Sequence, residues 1–312
     1  MSADTRRERD PLGEVELPAA ALYGAQTMRA VRNFAISGRR SHPALIDAVV
    51  RIKRAAAVVH RETGRLSAER ANAIISAAEL VLGGAHRDQF VVDVFQAGAG
   101  TSLHMNVNEV LANLANEALG AARGSYAPVH PNDHVNMAQS TNDVIPTAIR
   151  IATLVTLAPA LDACDALAQS LRERGRRFDH LVKAGRTHLQ DAMPIRLGQE
   201  FVAWAGSVER SARRVRGCAD DLHDLGIGGT AVGTGVNAEQ SYAARVVAEL
   251  RSNTGLPLRE GEDRVQLMQS MGDLAALSAQ WRTLALEIGK IANDLRLLAS
   301  GPRTGLDELL LP

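Results

Sequence analysis

Four polar stretches carry the residue types that can bind or transform a small anion. The first is Gly98-Ala99-Gly100-Thr101-Ser102, running into His104-Met105-Asn106-Val107-Asn108-Glu109. Its glycines let the backbone approach a ligand closely, and Thr101 and Ser102 can cap a helix or donate to a ligand, with spacing alone favouring the cap. The second is His130-Pro131-Asn132-Asp133-His134, continuing to Ser140-Thr141-Asn142-Asp143. Hydroxyls and N–H groups at a helix start suit a carboxylate or phosphate. The His-x-x-Asp-His spacing fits no standard zinc pattern, so no metal is expected. The third is Gly185-Arg186-Thr187-His188-Leu189-Gln190-Asp191, a tight loop before Pro194. There a hydrogen-bonded structural His188 and a catalytic one read equally well. The fourth, residues 228–235, lacks the Gly-Lys-Ser/Thr of a phosphate loop. No strand pattern precedes Gly233-x-Gly235-x-x-Ala238, so it is not read as a dinucleotide fingerprint either, and no cofactor is expected.

These stretches must be held by helices. Apolar spacing predicts helices over 45–62, over 67–83 with Ser67 as N-cap and Gly83 past the end, and over 104–119. Residues 120–142 are turn-rich. We therefore divide the chain into a smaller N-terminal helical domain, 1–142, and a central long-helix bundle domain, 143–312. Ile151, Leu154, Leu157, Leu161, Cys164, Leu167 and Leu171 define one helical face. Residues 179–196 read as a loop, followed by a helix near 197–223 with Leu197, Phe201, Trp204, Val208, Val215 and Leu222 on one stripe. A last helix is expected over 263–299, where Leu274, Leu277, Trp281, Leu284, Ile288, Ile291, Leu295 and Leu298 make a heptad seam. It would be roughly 55 Å long and would need partner helices to cover the seam.

Composition agrees with this all-α reading. Aromatic residues are 3% of 312, which weighs against barrels and sandwiches and favours close-packed Ala/Leu helices. Lys+Arg and Asp+Glu are 35 each, so neither a nucleic-acid nor an anionic-membrane partner is expected. There is no run of about 18 apolar residues to suggest a spanning helix. The charged start MSADTRRERD lacks a signal-peptide core, which makes the cytoplasm the default location. Cys164 and Cys218 fall in helical stretches and are not read as a disulfide.

Taken together, the polar loops resemble the fumarase/aspartase superfamily, in its class II fumarase and aspartate ammonia-lyase branch. The resemblance rests on ALYGAQTMRAVRNFAISG (21–38), GAGTSLHMNVNEVLAN (98–113), HPNDHVNMAQSTNDVIPTA (130–148), GRTHLQDAMPIRLGQEF (185–201), GGTAVGTGVNA (228–238) and IANDLRLLASGPRTGL (291–306). It implies an all-helical, cytoplasmic homotetramer with a central bundle and no cofactor or metal. It further implies elimination of ammonia or water from a substituted succinate to give fumarate. Ser140-Thr141-Asn142-Asp143, ISG at 36–38, TGLPL at 254–258 and NDLRLLASGPR favour aspartase over fumarase.

By the same resemblance, Thr101, Ser140, Thr141 and Asn142 bind the substrate's carboxylates and amino or hydroxyl group. Thr187 and His188 contact it from a second segment, with His188 orienting or polarising it. Proton abstraction falls to a Ser in a family loop of the form GSSxMPxKxNP. The chain ends at Leu311-Pro312, where relatives lead into that loop. It therefore resembles a C-terminally truncated member, and the 312-residue polypeptide is expected to turn over little substrate or to serve as an inactive assembly partner. Leu103-His104 stands where relatives usually carry a polar residue or Met followed by Asn. His104 is thus a candidate for altered substrate preference and for titration near neutral pH.

Overall fold

The structure is a computed structural model and describes residues 4–312. The chain forms two compact units, residues 1–155 with 222–271, and residues 156–221 with 272–312. This division differs from the 142/143 boundary drawn from the sequence. The turn-rich stretch ends in the first turn of a helix, Thr141–Phe178, that runs unbroken past that boundary.

The first unit opens with a hairpin of β1 (Thr5–Asp10) and β2 (Gly13–Pro18). The helices α1 (Ala25–Asn33), α2 (Pro43–Glu62), α3 (Ala68–Leu82) and α4 (Thr101–Ala118) follow. Ser67 caps α3 by accepting from the Arg70 N–H, and Gly83 ends that helix, as the sequence suggests. Helix α4 is buried on all sides from Leu103 to Asn116. Burying a helix with four asparagines and a glutamate is costly unless its polar groups are matched. Three of the asparagines and the glutamate are, while Asn108 Oδ1 has no partner among the described residues. Asn106 bonds the backbone of Gln89 and Val91, Asn113 that of Leu22 and Gly124, and Asn116 that of Val129. Glu109 accepts from the N–H groups of Gly24, Gln26 and Thr27 and from the Thr27 hydroxyl, capping α1 from a distant helix. The MNVNEVLANLAN sequence is thus a post to which the surrounding loops are tied.

Helix α5 (Thr141–Phe178) begins in the first unit and continues into the second. Its buried face is Ile151, Leu154, Leu157, Leu161, Cys164, Ala168 and Leu171. Leu167, assigned to this face from sequence, is exposed. Two helical turns need about 7.2 residues, so the residue seven beyond Leu161 returns to the face and the one six beyond falls short. By length and composition α5 is also apolar enough to cross a membrane, although the sequence reading found no such run. Most of that stretch is buried within the protein, as in a core helix.

In the second unit, residues 182–196 are a hairpin and not the loop read from sequence: β3 (Val182–Thr187) pairs antiparallel with β4 (Gln190–Arg196). Helix α6 (Leu197–Ala219) follows and buries Leu197, Phe201, Trp204, Val208 and Val215. Returning to the first unit, β5 (Asp224–Leu225) pairs parallel with β6 (Arg259–Glu260), and α7 (Tyr242–Thr254) lies between them in sequence. The long terminal helix expected over 263–299 is two helices, α8 (Arg264–Gln269) and α9 (Gly272–Leu298). Ser270 is extended, and the buried Arg150 donates to the carbonyls of Leu267 and Ser270 that the break releases. Along α9, Leu277, Leu284, Ile291 and Leu298 are buried, one per heptad, while Leu274, Trp281, Ile288 and Leu295 stay half-buried.

Candidate functional site

In the first unit two helix N-termini meet. Gly100 precedes α4 in the left-handed conformation, φ +78°, and a Cβ there would lie 3.1 Å from the Ile145 side chain of α5. Glycine is required on both counts, since L-residues avoid this region and a methyl would push the helix starts apart. Thr101 is then the first residue of α4, exposed. Ser140 precedes α5 and Thr141 begins it, both half-buried, and Asn142 is exposed. One turn into α4, His104 Nδ1 lies 2.8 Å from Thr141 Oγ1, tying the two helix starts side to side. Gln96 Oε1 accepts from the Leu103 N–H and Ser140 Oγ from the Asn142 N–H, and the other first-turn N–H groups, with the positive ends of two helix dipoles, suit an anion. Four of the six candidate residues, Thr101, Ser140, Thr141 and Asn142, therefore sit in one place with the donors that an anion needs.

Behind this face lies a buried polar network. Lys53 of α2 is fully buried, with Nζ 2.6 Å from His104 Nε2 and 2.9 Å from both Asn136 Oδ1 and Gln139 Oε1. Burial pushes the Lys53 ammonium well below its ordinary range, and the charge of Asp143 opposes that push. Burial and then the nearby Lys53 charge hold His104 well below the usual imidazole value. His104 is therefore neutral near neutral pH, which corrects the expectation that it titrates there.

Asp143 anchors the glycine-rich stretch. Its Oδ1 accepts from the Ser140 N–H at 2.9 Å, and its Oδ2 from the Gly228 and Thr230 N–H groups at 3.0 Å. Burial raises its carboxyl to about 6, against the lowering effect of those three N–H groups. Asn142 adds a second tie, donating to the Ala231 carbonyl at 2.8 Å. Lys53, Asn136, Gln139 and Asp143 are not among the functional residues expected from the sequence. A signal for Lys53 was present: Ile46, Val49, Lys53, Ala56 and His60 fall on one stripe of α2, and all five are buried.

The histidines of the second motif serve the backbone. His130 Nδ1 accepts from the N–H groups of Asn132 and Asp133, and His134 Nδ1 accepts from the His130 N–H. Among the described residues, no three His, Cys, Asp or Glu side chains are placed to share a metal ion.

Thr187 and His188 belong to the second unit, at the tip of the β3–β4 hairpin, and both are exposed. His188 and Leu189 form a two-residue turn with φ +51° and +61°, the type I′ pattern that asparagine and glycine usually supply. Nearer the base, two residues of β4 oppose Gly185 in a bulge, and a Cβ on Gly185 would lie 2.6 Å from the Met193 carbonyl oxygen. A cleft of about 600 Å3 in this unit is lined in part by His188, Lys183, Arg186, Trp204 and Lys290. Its cations are already committed: Lys183 pairs with Glu200 and Glu308, Arg186 with Glu308, and Lys290 with Asp294. It offers an anion less than the helix starts of the first unit do.

A family model described as lyase matches residues 13–312. A class II fumarate hydratase of Ralstonia nicotianae is 48% identical over 309 residues, 99% of this chain and 67% of that protein. An aspartate ammonia-lyase of a Bacillus species is 45% identical over 312 residues, covering all of this chain and 67% of that protein. Among solved structures, a fumarate lyase:delta crystallin of Brucella melitensis superposes with a TM-score of 0.95 at 44% identity, over 97% of this chain and 66% of that one. The class II fumarase of Schistosoma mansoni gives 0.94 at 32% identity, over 99% of this chain and 68% of that one. The chain spans about two thirds of the length of the curated relatives it matches. The helical fold, the motif loops and these matches agree: the chain belongs to the fumarase/aspartase superfamily of lyases.

Proposed function

We propose that the chain supplies the carboxylate-binding part of an aspartate ammonia-lyase-like site, at which L-aspartate loses ammonia to give fumarate. The observation that carries this is the pair of helix N-termini joined through His104 and Thr141, with the hydroxyls of Thr101, Ser140 and Thr141 at one face. In such an elimination a proton leaves the carbon next to a carboxylate, which then gains a second negative charge. Fixed N–H and O–H donors stabilise that charge more than they stabilise the substrate, and this difference lowers the barrier. Thr101, Ser140, Thr141 and Asn142 act as those donors. Thr187 and His188 are read as contacting the substrate from a second segment, with His188 orienting or polarising it. The base is taken to be a Ser of the family loop GSSxMPxKxNP, and no described residue is assigned that role. A cytoplasmic homotetramer with a site shared between subunits is part of this reading.

A fumarate hydratase acting on L-malate is the second reading, because relatives of nearly equal identity carry that name. Incubation with L-aspartate, with L-malate, and with fumarate with and without ammonia separates the two. The panel is run on the 312-residue chain and on the product of its whole reading frame, followed by ultraviolet absorbance. Ammonia-dependent consumption of fumarate supports the aspartase reading, and ammonia-independent consumption supports the fumarase. Inactivity of the whole product toward all of them would sink both.

A further inference from the structure

We infer that Glu308 is a positioning residue for the β3–β4 hairpin: it holds Arg186 inward, and so sets the side on which Thr187 is presented and the place of His188 at the tip. The argument starts from an irregularity in β3. Residues three apart on a regular strand point to opposite faces. Lys183 and Arg186 are three apart, yet both are half-buried and both reach one carboxylate. Lys183 Nζ lies 2.7 Å from Glu308 Oε2, and Arg186 Nη2 lies 2.5 Å from Glu308 Oε1. Burial along β3 alternates from Val182 to Gly185 and then slips by one, because Gly185 and Arg186 are half-buried in succession. The slip falls at the bulge, where the register with β4 shifts between Ala184 and Arg186. Thr187 is then the next residue outward, and it is exposed. Without an inward partner for Arg186, regular alternation would turn Arg186 out and Thr187 in.

Glu308 itself is held by its own backbone. Beyond α9 the chain folds back on Ser300: the Leu306 N–H donates to Ser300 Oγ at 3.1 Å, and the Asp307 N–H to the Ser300 carbonyl at 2.6 Å. A Cβ on Gly305 would lie 2.3 Å from that carbonyl oxygen, so the closure requires glycine there. The Glu308 N–H then donates to the Leu298 carbonyl at 2.9 Å, which fixes the residue to the last turn of α9. Burial works to raise the Glu308 carboxyl, and Arg186 and Lys183 hold it below its ordinary value nonetheless. The two cations differ in what else they have. Lys183 Nζ has a second anion, Glu200 of α6, 2.9 Å away. Arg186 has Glu308 as its one ion-pair partner among the described residues. Loss of Glu308 therefore strands Arg186, two residues from His188, and leaves Lys183 paired.

The link to a substrate rests on the lyase reading, in which Thr187 and His188 contact it, whereas the placement of the tip can be read without any ligand. The first measurement is the backbone amide spectrum of the ligand-free chain labelled with 15N-histidine, each signal assigned by its loss in the matching His→Gln variant. Glu308→Gln keeps the volume and removes the charge. It should shift or broaden the His188 signal, and Arg186→Gln should do the same. The signals of His180 and His104 should stay in place and report that both units remain folded. Glu200→Gln takes an anion from Lys183 in the same hairpin but none from Arg186, and should leave the His188 signal where it is. An unchanged His188 signal in Glu308→Gln overturns the inference. An equal response to Glu200→Gln, or movement of the His180 signal as well, overturns it too, since either would mark a general loosening of the unit. The second measurement is the affinity for succinate, an unreactive dicarboxylate. Glu308→Gln should weaken it about fivefold, the order of one ion pair, and His188→Gln at least as much. Absence of binding, or equal affinity in His188→Gln, overturns the reading of His188 as a substrate contact, while the spectrum decides the placement of the tip.

Discussion

At Asp143 a single carboxyl joins the start of α5 to the backbone of Gly228 and Thr230. Its position makes stability depend on pH in a direction opposite to the usual carboxylate. The ordinary value of 3.8 rises to about 6 in the fold, so between these values the folded chain holds more protons than the unfolded one. Stability from this group is therefore full at the acid side and declines as pH rises through that window, by on the order of 3 kcal/mol. Urea unfolding of Asp143→Asn between pH 4 and 6 should show that slope removed. The same slope in the variant would assign the titration elsewhere. The charge of Asp143 also opposes the push that burial exerts on the Lys53 ammonium, so the two buried groups are electrostatically linked. Much of this was hidden in the sequence, because the partners of Asp143 lie 85 and 87 residues away. The motif around it marked a helix start, but a one-dimensional pattern does not say which distant N–H groups a carboxylate will meet.

Among the elements, the β3–β4 hairpin shows how a functional residue can override local preference. The string Thr187-His188-Leu189-Gln190 has no Asn, Asp or Gly to signal a two-residue turn, so the sequence predicts a loop there. Both turn residues sit at positive φ, which costs L-residues roughly 1 kcal/mol or more each. Leu189 is largely exposed, and replacing it with Asn should relieve part of that cost. We expect Leu189→Asn to stabilise the chain by about 0.5–1 kcal/mol, read as a rise in the thermal midpoint. No rise would mean that the turn is held by contacts that Leu189 itself makes. Helices were more legible than this hairpin. The starts and stops of α2 and α3 and the buried stripe of α6 follow from spacing and caps. The break between α8 and α9 escaped detection because the agent is Arg150, more than a hundred residues earlier, taking the freed carbonyls.

For the whole molecule, the main question is what covers α9. One residue per heptad is buried, and the other half of the seam keeps Leu274, Trp281, Ile288 and Leu295 partly open, with Leu286 and Leu297 exposed. A row of this kind in water favours association. Light scattering on the 312-residue chain is therefore expected to report a species larger than a monomer or a poorly soluble one. A clean monomer across a hundredfold range of concentration would refute this. The scarcity of aromatics now has a local cause, since the buried stripes of α5 and α9 are built from Ala, Leu, Ile and Cys. The period of burial has one more consequence. Leu277, Leu284, Ile291 and Leu298 recur every seven residues on α9, as Phe201, Val208 and Val215 do on its neighbour α6. A straight α-helix lags such a repeat by about 20° per heptad, so two helices that keep it in contact must coil about each other in a left-handed sense.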